Sequence, residues 1–448
     1  MAKYLALINR RTMCLLLVLL VLSLFSLFAQ NTELLLLQNE LLGAQLDVKD
    51  AKASRWPTLE LSITGSWMQN PPLGPITLSS DQLAPLVGFP APAVPSYVTV
   101  YDGMEATLYD FGLSFTQPIF TWGKINAAVK ASEAVARAQE HSLMNRQSEL
   151  EHEAATRLAT LYELTSIKDL LQKQQVLKKE LSTLMEKSVA SGILLDLAKA
   201  ETESSLLDIE IAMLDTVYAI KTQELELKKL GEELTQTPAL FNEEEIRQLL
   251  AIGLDNLLDY ALNPQRHALV ALSSLQQASQ QAVKLAKGSL YGKPDFALVV
   301  SLGYKGPRFP LLEKDWYGQN DYSFTVSVGM KTMLFDGGKQ YNTVKRAEKQ
   351  KSSADLEIRS ATETIEMEVK KEYLLLSSLM DKIQLQHQKI STMTKRLSVN
   401  MTLFESGYTS KEQCIEAEMH LNSAIIEKHR LSIEAWQAYQ KLRHLCSV

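Results

Sequence analysis

Leu113-Ser-Phe-Thr-Gln-Pro-Ile-Phe-Thr-Trp-Gly-Lys124 joins two kinds of chain. To its left, Tyr109, Phe111, Leu113 and Phe115 alternate with Asp110, Gly112, Ser114 and Thr116, the period of a strand with one apolar and one polar face. To its right no proline occurs until Pro238, and the good helix formers Ala, Glu, Leu, Lys and Gln dominate. Pro118 and Gly123 therefore mark a joint from sheet to long helix. Val326-Ser-Val-Gly-Met-Lys-Thr-Met-Leu-Phe-Asp-Gly-Gly-Lys339 repeats the plan, with Gly338 placed 215 residues after Gly123.

The same offset recurs away from the joints. Between Lys124 and Leu230 the only glycine is Gly192, and after Gly338 the only glycine is Gly407, again 215 residues on. Each reads as the tip of a helical hairpin. A helix over 124–191 would be 68 residues, about 100 Å long. In the second half Val369, Leu376, Ile383, Ile390, Leu397 and Phe404 are each seven apart, the repeat that makes helices supercoil. One fixed offset through the whole chain is an internal duplication.

Outward from the joints the chain divides readily. Residues 1–29 read as a secretion signal: Lys3, Arg10 and Arg11 precede an apolar run too short to be a comfortable membrane span, although an anchor is the other reading. Residues 30–56 form a short helix stopped by Pro57. Residues 57–117 form a strand pair, with Leu59, Leu61 and Ile63 on one face of its first strand and a proline-rich irregular loop over 70–101. The first helical hairpin covers 118–233, a mixed connector 234–256, and a helix 257–293 ended by Pro294. A second strand pair follows over 294–334, with Phe324 and Val326 on its apolar face, and a second helical hairpin over 335–448.

Charge and ligand chemistry narrow the function. Without the three positive charges of residues 1–29 the net charge falls from −6 to −9, which argues against a nucleic-acid partner. Cys414 and Cys446 alone follow the leader, too few for a disulfide framework and without zinc-type spacing. The histidines are scattered, with no catalytic constellation, and Gly337-Gly338 lacks the Lys-Ser/Thr of a phosphate loop. No enzyme, metal or cofactor is expected.

Each strand has about ten alternating residues with an aromatic near an end (Trp67, Phe115, Tyr304, Tyr322), the length and pattern of an outer-membrane strand. A half-buried soluble sheet has the same pattern. Four strands cannot close a barrel, and an open edge cannot sit in lipid, so membrane strands would require several copies. A secreted structural coiled coil is the alternative. A periplasmic adaptor would carry one hairpin between compact β domains, whereas this chain has two.

The duplication, the Gln117-Pro118-Ile119-Phe120-x-x-Gly123 joint, and Gly407-Tyr408 followed by Ala417-Glu418-x-x-Leu421 resemble the TolC-type outer membrane factor (outer membrane efflux protein) family over nearly all of the chain after the leader. The resemblance implies a mainly α fold with a membrane β-barrel: a homotrimer with a twelve-stranded barrel in the outer membrane and an α-helical tunnel in the periplasm. It also implies a passive exit duct for efflux or type I secretion, docked to a periplasmic adaptor and an inner-membrane pump or ABC exporter. Leu61, Phe111, Phe324 and Val326 would face lipid, and the 70–101 loop would face outside. The periplasmic gate would use Tyr408, which matches a tyrosine holding the closed tip, and Gln413 and Glu416, which fall on the family's acidic ring positions. Three departures stand out: the helix before Pro57 is short, the second joint lacks Gln-Pro, and Ala200 follows Gly192 by eight residues where Ala417 follows Gly407 by ten.

Overall fold

The computed structural model describes residues 32–447 apart from 87, 89, 91–95, 104, 191–195, 232–240, 307–308 and 310–321. The segment read as a leader and the tip expected at Gly192 lie outside the described residues. The elements in order are α1 (Thr32–Ala53), β1 (Thr58–Trp67), β2 (Ile76–Ser79), α2 (Ser80–Leu86), β3 (Tyr97–Tyr101), β4 (Thr107–Phe120), α3 (Lys124–Ala190), α4 (Asp196–Leu230), α5 (Glu243–Ala251), α6 (Leu254–Ala261), α7 (His267–Gly288), β5 (Asp295–Gly306), β6 (Tyr322–Lys331), α8 (Lys339–Glu405) and α9 (Lys411–Cys446). The duplication shows in the lengths: α3 and α8 have 67 residues each, and α4 and α9 have 35 and 36. The chain divides into a strand unit (46–133 and 278–351) and a helix unit (1–45, 134–277 and 352–448).

In the strand unit β1, β4, β5 and β6 form one antiparallel sheet in the order β1-β4-β5-β6. Pro118 does not end β4, as the sequence suggested; the strand continues to Phe120. The reason is local. Beyond Thr116, the partner of Thr58, β1 no longer flanks β4, and the register with β5 shifts between Pro118 and Phe120, so the missing N–H costs no ladder bond on the β1 side. The 70–101 segment is not wholly irregular either. It holds the two-stranded sheet β2–β3 and the short helix α2, with Ser80 Oγ accepting from the Ser96 amide at 2.8 Å. The second strand pair ends at Lys331 rather than at residue 334.

Both sheet-to-helix joints turn on two consecutive residues in the left-handed region: Trp122 (φ 51°) and Gly123 (φ 76°) at the first, Gly337 (φ 71°) and Gly338 (φ 86°) at the second. Trp122 is held in that conformation by its indole, which donates to the Pro294 carbonyl at 2.9 Å, and Lys124 pairs with Asp295. At the second joint the Tyr291 hydroxyl donates to Asp336, whose other oxygen accepts the Gln340 amide at 3.2 Å and caps α8. The Tyr291 bond holds the Asp336 carboxyl below its ordinary value.

In the helix unit the core gathers α5 and α6 against α8 and α9, around Ile246, Leu257, Leu376, Ile383, Trp436 and Leu442. Within the segment read as a connector, residues 234–240 lie outside the described residues, and the rest holds α5 and the start of α6. Asn242 starts α5, its Oδ1 accepting the Glu244 amide at 3.0 Å and its Nδ2 donating to Glu245 at 3.1 Å, a reciprocal cap. The helix expected over 257–293 is two helices, because the turn around Pro264 separates α6 from α7. Arg266 secures that turn through the carbonyls of Ala261 (2.9 Å) and His444 (3.2 Å). Along the seven-residue seam of α8 burial fades: Val369, Leu376 and Ile383 are fully buried, Ile390 and Leu397 half-buried, and Phe404 exposed. No helix among the described residues is long and apolar enough to cross a membrane.

His444 of α9 lies edge-on to His152 of α3, ring centroids 5.5 Å apart, beside a cavity of ≈ 360 Å³ that Glu149, Glu153 and Glu368 also line. Burial, then the neighbouring His152, pushes the His444 imidazole below its ordinary value, with Glu149 opposing and Arg266 and Arg146 adding to the push. The unfolded chain therefore takes up this proton first. The stability that His444 contributes is complete above about pH 6.5 and fades as the pH falls through that unfolded value. Thermal melting of the solubilised chain between pH 8 and pH 5 should show a drop in Tm that is shallower in His444→Gln; identical slopes would contradict this.

Candidate functional site

Two places carry the residues singled out from the sequence, and they are built differently. The first is the sheet. Its register aligns Leu61, Leu113, Leu302 and Phe324 in one row, Ile63, Phe111, Tyr304 and Tyr322 in the next, and Phe115, Val300 and Val326 in a third. Directly opposed residues in an antiparallel sheet point to the same side. All four predicted lipid-facing residues, Leu61, Phe111, Phe324 and Val326, therefore share one continuous apolar face. Leu61, Phe324 and Val326 are exposed in the single chain, while Phe309 packs edge-on over Phe111 at 5.1 Å and leaves it half-buried. The opposite face aligns Ser62, Gly112, Gly303 and Ser323, and beside them Glu60, Ser114, Ser301 and Thr325. Gly112 makes room there for Ser62: a Cβ would come within 2.7 Å of Ser62 Oγ, which would have to shift.

The second is the tip between α8 and α9. Gly407 (φ 79°) ends α8 as the left-handed residue of a Schellman motif, in which the Tyr408 amide donates to Leu403 at 2.8 Å and the Gly407 amide to Phe404 at 2.9 Å. Tyr408 is 83% exposed. The start of α9 is tied back to α8, since Asn400 Nδ2 donates to the Gln413 carbonyl at 3.4 Å and Cys414 Sγ donates to the Asn400 carbonyl at 3.3 Å. The Gln413 side chain accepts from Thr409. Glu412 is held below its ordinary value by a hydrogen bond from Ser410.

The structure also places at this tip residues that sequence reasoning passed over. Lys411 pairs with Glu180 of α3. Burial lowers the value of Lys178, also on α3, and Glu416 opposes that shift, which puts Glu416 within electrostatic reach of a cation. From there α9 runs antiparallel to α3. Gln174 donates to Ser423 at 2.8 Å, Ile426 packs on Ile167 and Leu171, His429 pairs with Glu163, and the Trp436 indole donates to the Ala155 carbonyl at 3.4 Å. Tyr408, Gln413 and Glu416 are all exposed, and they belong to one tip but make no bond with one another among the described residues. No signal in the sequence links Lys411 to Glu180, because helix packing alone brings them together. Among the described residues no three His, Cys, Asp or Glu side chains gather to hold a metal.

The sequence pattern of the outer membrane efflux protein family matches residues 26–231 and 258–447. The chain belongs to that family. Family members are outer-membrane proteins that extend into the periplasm, and the two faces of the sheet and the long helical hairpins are this chain's version of that plan. Solved structures share the fold. VceC, an outer membrane protein of Vibrio cholerae, is 18% identical, with a TM-score of 0.69 over 92% of this chain and 92% of that one. The CmeC outer membrane channel of Campylobacter jejuni is 15% identical, with a TM-score of 0.72 over 93% of this chain and 83% of that one. The open-state MtrE outer membrane channel of Neisseria gonorrhoeae is 13% identical, with a TM-score of 0.70 over 93% and 86%. No curated protein sequence matches the chain.

The tip geometry has a direct test. Gly407→Val places a β-branched side chain at positive φ and should cost about 1–2 kcal/mol, confined to the tip. Hydrogen exchange should show the Gly407 and Tyr408 amides losing protection while those around Leu376 keep theirs. Unchanged exchange at the tip would mean that the Schellman turn is not what holds it.

Proposed function

We propose that this chain is a trimeric, passive exit duct of the outer membrane, serving a tripartite efflux or type I secretion system. The observation that carries the reading is the sheet: one face is apolar, and exposed on β1 and β6, the other carries Ser, Thr and Gly with Glu60, and β1 and β6 are its outer strands among the described residues. Such a face is stable against lipid, and open edges in lipid need partners. Pairing β1 of one copy with β6 of the next in three copies makes twelve strands around a polar lumen. A secreted structural coiled coil would leave the apolar face in water. In this reading Leu61, Phe111, Phe324 and Val326 face lipid, the 70–101 segment lies outside the cell, and the chain performs no catalysis.

The periplasmic end would dock a periplasmic adaptor and, through it, an inner-membrane pump or ABC exporter. The gate is assigned to the second tip, where Gly407 ends the seam and buried contacts give out. Tyr408 holds neighbouring tips together, and Gln413 and Glu416 line the constriction, so three copies of Glu416 form one acidic ring. Lys178 beside it moderates that charge.

Two measurements test this. Val326→Arg on the lipid side should cost about 2–4 kcal/mol near the bilayer midplane and reduce heat-modifiable trimer, while Ser327→Arg on the lumen side should spare the trimer and alter conductance. Equal loss from both would identify a soluble sheet. In planar bilayers Glu416→Gln should lower cation preference and weaken block by divalent cations; unchanged selectivity with an intact trimer would remove Glu416 from the gate.

A further inference from the structure

Charge is segregated inside the strand unit. Its segments next to the sheet, 46–56, 121–133, 278–294 and 332–351, hold thirteen Lys and Arg against five Asp and Glu, in a chain whose overall charge is −6. Residues 57–120, by contrast, contain no Lys or Arg at all. Positive charge thus collects where the strands give way to helices.

Into this basic belt opens a groove of ≈ 520 Å³ between α7 and α8. Ala282, Leu285, Ala286 and Ala347 give it an apolar floor, and Lys339 and Arg346 stand on its wall, with the Asp336 carboxylate, engaged by Tyr291, at one end. Both cations are exposed, and neither is in an ion pair among the described residues. Gln340, also lining the groove, has its Oε1 buried without a hydrogen-bond partner. Leu334 and Phe335, just before α8, are exposed. Lys339 follows the last residue of β6, Lys331, by only eight positions.

We propose that this groove binds the headgroup of an anionic phospholipid. Lys339 and Arg346 meet the phosphate, Gln340 Oε1 accepts from a headgroup hydroxyl, and the Leu285 and alanine floor takes the glycerol and first acyl carbons. The apolar floor and the exposed Leu334 and Phe335 favour a lipid over a free anion, because inorganic phosphate has nothing to place there. Basic residues at a membrane boundary gain from anionic headgroups in the same way. The proposal rests on the reading of these strands as membrane spans.

The test uses the full chain purified in neutral detergent, titrated with phosphatidylglycerol while thermal melting is followed. Phosphatidylcholine and inorganic phosphate serve as comparison ligands. Phosphatidylglycerol should raise Tm and the other two should not. Lys339→Gln and Arg346→Gln should each weaken the apparent affinity about five-fold, the equivalent of roughly 1 kcal/mol per basic residue. Lys339→Arg should retain binding, and Lys382→Gln, elsewhere on α8, should change nothing. An equal response to inorganic phosphate, or unchanged affinity in both glutamine variants, overturns the proposal. Conductance in phosphatidylglycerol bilayers reports separately on the membrane reading. A chain that conducts but shows no phosphatidylglycerol preference loses the groove, and one that never inserts loses the channel beneath it.

Discussion

Backbone hydrogen bonding at the two outer strands is the constraint from which the rest of this protein follows. Among the described residues the sheet order β1-β4-β5-β6 leaves one side of β1 and one side of β6 without a strand from the same chain. In water such edges are a hazard that short strands or charges blunt; in a bilayer they are untenable. Glu60 and Lys331 are the charged side chains on these two strands. Leu59, Leu61 and Ile63 of β1 and Phe324, Val326 and Val328 of β6 are all exposed. In the proposed reading such a sheet is a fraction of a barrel that further copies of the chain complete.

The helices answer a second requirement, which is to hold two largely polar 67-residue helices and their return helices together. The apolar seam of α8 is deeply buried only where α5 and α6 pack on it, and it thins toward Gly407. Beyond that level polar contacts replace burial: Gln174 to Ser423, His429 to Glu163, Lys411 to Glu180. Of these, Lys411–Glu180 is largely exposed, and such a pair is worth only about 0–1 kcal/mol. The stability gradient along the hairpin is therefore a property of its sequence, and it leaves the tip as the part most readily rearranged. A gate placed there would move at little cost to the core.

The joints couple these two halves of the design through backbone conformation. Each reverses the chain with two successive left-handed residues, but only the second uses two glycines. At the first joint Trp122 occupies the strained position and is retained by its bond to the Pro294 carbonyl, which belongs to the other repeat. The duplication is thus no longer symmetric: a contact between the repeats at one joint replaces the conformational freedom of glycine at the other.

Much of this was legible in the sequence because it depends on local periodicity. Alternation in 107–116 and 322–330 marks strands, the seven-residue spacing from Val369 to Phe404 marks a seam, and the shared offset of Gly123, Gly338, Gly192 and Gly407 marks the repeat. The helix that Asn242 caps was missed, because the segment around it reads as a mixed connector. What the sequence could not decide was which charged helix faces meet. Lys411 and Glu180, or His429 and Glu163, read as ordinary solvated residues, and only the packing of α9 along α3 pairs them across more than two hundred residues. Pro118 makes the same point in the sheet. Alone it is a strand breaker; in the fold it sits past the last β1 pairing and beside a register shift with β5, where β4 can carry it. Local pattern sets which residues form each element, while the long-range pairing of those elements decides what each side chain touches.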